Sequence, residues 1–115
     1  LFRSSAASDV YKRQVPFWWD RLMESEYFKN KLKNRWVELR QVKLSNITIN
    51  NLIDSHVKYL SNNDVINENF INWPIIGKWI WPNSFIGNTH DEEITYLKQW
   101  IDRRLNWLDQ HMGFL

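Results

Sequence analysis

The feature that most constrains this chain is an apolar stripe near its C-terminal end. Ile94, Leu97, Ile101, Leu105, Leu108 and Met112 recur at steps of three or four, the spacing that brings side chains onto one face of an α-helix. Thr89 and Glu92 precede it in capping-box register, a hydroxyl for the first-turn amides and a carboxylate that reaches back. Asp91, Glu92 and Glu93 place negative charge at the positive end of the helix dipole, and Gly113 is a natural stop. The pattern predicts a helix over 89–112, with Tyr96, Trp100 and Trp107 along one edge of the stripe. So long a stripe needs other elements to cover it.

The preceding residues predict those elements as further helices. Val15 to Glu24, VPFWWDRLME, reads as a short Pro-initiated aromatic helix. From Ser25 or Glu26 to about Gln41, the residues Phe28, Leu32, Trp36 and Leu39 share one face. Ser45 is the expected N-cap of the next helix, whose apolar face comprises Ile49, Leu52, Ile53, His56, Val57 and Leu60. The polar run Ser61–Asp64 interrupts or bends it, because short polar side chains compete for backbone hydrogen bonds. A further helical piece runs from about Val65 to Asn72, and Pro74 ends it. The reading is all-α, four to five helices plus one long aromatic loop, with no internal repeat and no strand alternation.

That loop spans 73–88. Pro74, Gly77, Pro82 and Gly87 punctuate it, which disfavours a regular element, while Ile75, Ile76, Trp79, Ile80, Trp81, Phe85 and Ile86 predict that it lies against other parts of the fold. Trp79, Trp81 and Phe85 form a candidate binding surface, able to stack on a sugar or a nucleobase. The more economical expectation is that they plug the groove between helices, as loop aromatics bordered by isoleucines usually do.

Residues 1–14 require separate treatment. Ser4 to Gln14, SSAASDVYKRQ, resembles the read-through translation of a transposase sequencing adapter over eleven consecutive residues. The expectation is an adapter-derived, disordered tail at 1–14, with the authentic, truncated sequence beginning at Val15. The 15 basic and 13 acidic residues of the chain include Arg3, Lys12, Arg13 and Asp9 of that tail, so 12 of each sign remain. A balanced charge argues against a nucleic-acid partner, which needs a net or clustered positive field. The absence of cysteine excludes disulfides and thiolate metal sites. No apolar run approaches the length of a membrane span.

Catalytic signals are sparse. The sequence contains no glycine-rich phosphate loop, no H-E-x-x-H and no G-x-S-x-G, and His56, His90 and His111 have no ligand spacing. No catalytic, cofactor-binding or metal-ligating residue is assigned. Arg104 falls within the apolar sector of the last helix and Arg35 has the same geometry, which makes both candidates for a buried ion pair. Asp20 and Glu38 are the expected carboxylate partners of Arg104, the alternative being an anion site; an unpaired buried charge is too costly to persist.

Four segments in order, PFWWDRLMESEYFKNKLKNRWVELR, then NLIDS after the Leu44–Ser45 start, then ENFINWPIIGKWIWPN, then THDEEITYLKQWIDRRLNWLD, resemble the C-terminal region of the CotH family, named for the spore coat protein H kinase. The resemblance covers essentially all of 15–109. It implies an atypical protein kinase-like fold that binds ATP and a divalent metal such as magnesium and transfers phosphate to serine-rich proteins. The family's nucleotide-binding lysine and metal-binding aspartates precede the PFWW segment and have no counterpart here, so no cofactor is expected in this chain. The implied role is a helical support whose partner is the missing N-terminal catalytic region of the same protein. A bacterial cell-surface or secreted setting is implied in the same way. From a different class, the aromatic loop leaves open a helical binding module for a glycan or a protein.

Overall fold

The computed structural model describes residues 17–112, and every regular element within them is helical. Helix α1 is Phe17–Met23, α2 is Glu26–Gln41, α3 is Asn46–Asn62, α4 is Val65–Asn72 and α5 is His90–His111. The expected tail at 1–14, Pro16 and the Gly113 stop lie outside the described residues.

The helix starts follow the local chemistry. Ser25 Oγ accepts from the Phe28 amide at 3.4 Å, Ser45 Oγ from the Thr48 amide at 3.1 Å, and Thr89 Oγ1 from the Glu92 amide at 3.2 Å. Each satisfies a first-turn donor that has no partner inside its helix. The capping box needs one correction: Glu92 Oε2 accepts from the amide of Asn88 at 2.8 Å, one residue earlier than Thr89. Glu93 Oε1 takes the Gly87 amide at 2.6 Å, so two carboxylates tie the loop's end to α5. At the α3–α4 junction, Ser61 donates to the Val57 carbonyl and the Asn63 amide group to that of Tyr59. Asp64 then adopts a left-handed conformation, φ 56°, at the N-cap of α4.

Packing is sparse. Helix α1 packs on α2, α4 on α3, and α3 on α5. The predicted face of α2, Phe28, Leu32, Trp36 and Leu39, is half-buried, as are Ile49, Ile53 and Val57 of α3. The α3 stripe is narrower than expected, because Leu52, His56 and Leu60 are exposed. On α5, Leu105 is the one buried hydrophobic among the described residues. The radius of gyration is 19.0 Å, against roughly 13 Å for a compact domain of this length. The helices form as amphipathic units whose apolar sides are only partly covered.

The loop is ordered by its own bonds. Gly77, at φ 75°, donates to the Gly87 carbonyl at 2.9 Å, and Asn83 to that of Ile80 at 2.8 Å. The Trp81–Pro82 peptide is cis.

Candidate functional site

The most connected polar cluster joins the end of α2, the start of α3 and the end of α5. Arg40 lies in the last turn of α2, and its side chain is 16% exposed. Its Nε donates to Asp109 Oδ1 at 2.9 Å and its Nη2 to Asp109 Oδ2 at 2.9 Å, a bidentate pair. Nη2 also donates to Asn46 Oδ1 at 2.7 Å, and Nη1 to the Leu44 carbonyl. Trp36, one turn before Arg40, gives its indole N–H to Asp109 Oδ1 at 2.9 Å. Asn46 passes the connection on, its amide nitrogen donating to Asp102 Oδ1 at 2.8 Å. Further along the α3–α5 seam, Lys98 pairs with Asp54.

The Asp109 carboxyl is held below the usual aspartate range. The Arg40 hydrogen bond is the main cause, partial burial works against it, and the Trp36 bond and Arg40's charge add to the lowering. Asp109 therefore stays an anion although it sits near the negative end of α5, where the helix dipole disfavours it. This chemistry fastens three elements; it presents no nucleophile or base to a substrate. No group of three acidic or histidine side chains suited to a metal ion occurs among the described residues.

The two arginines singled out from sequence lie elsewhere, and their expected burial is corrected. Arg35 Nη1 donates to Glu38 Oε2 at 2.8 Å, with side chains 58% and 67% exposed, an ordinary surface pair one turn apart. Arg104 is exposed, and its guanidinium lies over the Trp107 ring, 4.6 Å from the centroid, a cation–π contact within one helix. Glu38, an expected partner of Arg104, is taken by Arg35. Both corrections have the same cause: the helix sectors that carry these arginines are not covered by another element.

The aromatic loop divides. Phe85 packs, its ring stacked on Tyr96 at 4.1 Å and 3°. Trp79 and Trp81 are 60% and 78% exposed, so the expectation that they plug a groove between helices is corrected. Phe85 is thus half-buried against α5 while both indoles stay exposed.

A groove of about 400 Å³ opens between α1, α2 and the end of α5. Trp18, Trp19, Leu22, Phe28, Leu32 and Met112 line it, and every lining residue is apolar. Sequence reading assigned these residues to separate faces and did not assemble them, because Met112 reaches the groove only through the tertiary placement of α5. Arg40 was missed for a similar reason. It reads as a routine basic residue in a helix's last turn, and its partner lies 69 positions away.

The family described as CotH kinase protein matches residues 3–108, most of the chain and all of α1 to α4. The chain belongs to the CotH family. The match begins at residue 3, one residue before the stretch that resembles adapter sequence, and runs to one residue short of Asp109, so the CotH match takes in Arg40, Asn46 and Asp102 of the polar cluster. No curated protein and no solved structure matches this CotH chain. Among its described residues, no helix is long and apolar enough to cross a membrane.

Proposed function

We propose that residues 17–112 are a helical scaffold of a CotH-type kinase-like protein, inactive alone, whose role is to support a catalytic region of the same protein. The observation that carries this reading is the half-open packing: the apolar stripes of α2, α3 and α5 are correctly formed, yet Leu105 alone is buried among the described hydrophobics. Exposed apolar faces of that extent mark surfaces that another body covers. Phosphoryl transfer depends on a lysine, a metal and carboxylates held around the phosphates, and the polar cluster here is consumed by internal bonds. ATP and magnesium belong, in this reading, to the catalytic region of the parent protein.

Isothermal titration of the purified chain with magnesium ATP tests the inactive part, with no heat of binding expected at micromolar nucleotide. Measurable micromolar binding overturns it. Supplying the parent's catalytic region in trans tests the scaffold part, because a partner that binds only the folded form raises Tm. An unchanged Tm at saturating partner counts against it.

The exposure of Trp79 and Trp81 favours a second reading, a binding module that stacks these indoles on a glycan or a protein. It predicts that Trp81→Ala abolishes ligand binding and leaves the helical circular dichroism unchanged. Equal binding by the variant removes that reading.

A further inference from the structure

The apolar groove has walls from two separately packed parts of the molecule. Trp18, Trp19 and Leu22 come from α1, and Phe28 and Leu32 from α2, which form one pair. Met112 comes from the end of α5, which packs on α3. Helices α2 and α5 have no extensive packing of their own; the bonds that join them are polar, and they converge on Asp109. Arg40 grips that carboxylate through two donors and Trp36 through a third. Asp109 precedes Met112 by three residues, so the two are neighbours on adjacent turns of one helix. Fixing the first fixes the second.

We propose that the Arg40–Asp109 pair is a latch that assembles the groove. Latched, it holds the last turn of α5 against α2 and sets Met112 as the groove's far wall. Released, the α1–α2 pair moves relative to α3–α5, and the groove loses that wall. The α3–α5 seam does not depend on the latch to the same degree, since Asn46–Asp102 and Lys98–Asp54 tie those two helices independently. Geometry makes the arrangement two-bodied: helix packing within each pair, and a directional charged pair between them. A bidentate guanidinium–carboxylate pair suits this task because it fixes orientation as well as distance.

The chain has no cysteine, so spin labels can be placed at will on the full chain. One labelled pair, Lys33→Cys with Gln110→Cys, reports α2 against α5. A second, Lys58→Cys with Gln99→Cys, reports α3 against α5. Pulsed electron–electron resonance on each pair is compared in the otherwise unaltered chain, in Arg40→Met and in Asp109→Asn. The latch predicts a narrow α2–α5 distance distribution that at least doubles in width in both variants, while the α3–α5 distribution stays as it was. General loosening of the fold would broaden both pairs together and overturns the proposal. An unchanged α2–α5 distribution overturns it equally. If Arg40→Met does not fold, Asp109→Asn decides alone, since it preserves the side-chain shape and leaves Arg40 bonded to Leu44 and Asn46.

Discussion

Arg40 and Asp109 lie 69 positions apart and meet as a bidentate pair, Nε and Nη2 each 2.9 Å from a carboxylate oxygen. With Arg40 only 16% exposed against 38% for Asp109, the pair lies between a surface bridge and a buried one. Hydrogen bonds to charged groups contribute more than neutral ones, so Arg40→Met is expected to lower unfolding stability by about 2 kcal/mol. Lysine cannot reproduce the planar fork, so Arg40→Lys should recover less than half of that loss. Urea denaturation followed by circular dichroism measures both; full recovery by lysine would show that charge alone suffices.

Acid should act on the same pair. The Asp109 carboxyl lies below its ordinary value of 3.8, chiefly through its hydrogen bond from Arg40. A group whose pKa is depressed in the folded state stabilises that state above its unfolded pKa and loses the contribution as pH falls through the lower folded value. The Asp109 contribution should therefore be complete at neutral pH and disappear below pH 3.8. Carbon-13 titration of the Asp109 carboxyl follows this directly, with a midpoint below the ordinary aspartate value expected in the native chain and an upward move in Arg40→Met.

The clamp at the start of α5 leaves little room. A Cβ added at Gly87 would lie 2.9 Å from both Cγ and Oε1 of Glu93, the side chain that accepts the Gly87 amide. Gly87→Ala should therefore displace Glu93 and cost about 1 kcal/mol through the lost charged hydrogen bond. Thr89→Ala removes the N-cap and should cost about 1 kcal/mol as well. Amide exchange localises the damage: faster exchange at residues 87 to 92 is expected in both variants, with α2 unaffected.

Leu105 and Trp81 separate burial from size. Leu105 is 7% exposed and Trp81 is 78% exposed. Leu105→Ala should destabilise the chain by about 2 kcal/mol, the low end for core leucines because open surroundings can close in. Trp81→Ala, which removes a larger side chain, should shift stability by less than about 0.5 kcal/mol. Comparable losses for the two would mean that the loop packs in solution.

The sequence made the helices and their starts readable because their causes are local. Ser45 and Thr89 cap as their positions predict, Ser25 rather than Glu26 proves to be the cap of α2, and α4 ends at Asn72, two residues before Pro74. Periodicity also grouped Phe28, Leu32, Trp36 and Leu39 on one face. It could not say how fully a face is covered, which is why Leu52, His56, Trp79 and Trp81 were expected inside and lie outside. Arg104 was placed in an apolar sector by angle alone, and the structure gives it Trp107. Arg40 carries the cluster yet had no local signal. One hint was available, an aspartate in the last turn of α5, where the dipole disfavours negative charge and a cationic partner is needed.

With Leu105 the one buried hydrophobic among the described residues, a saturation mutagenesis of the isolated chain would draw an unusual map. Most leucine, isoleucine and tryptophan positions would tolerate polar substitutes, and intolerance would concentrate at Ser45, Gly87, Thr89, Arg40 and Asp109. Repeating the scan with a covering partner present would shift intolerance onto the newly silenced hydrophobics, and the difference between the two maps would outline the partner's footprint residue by residue.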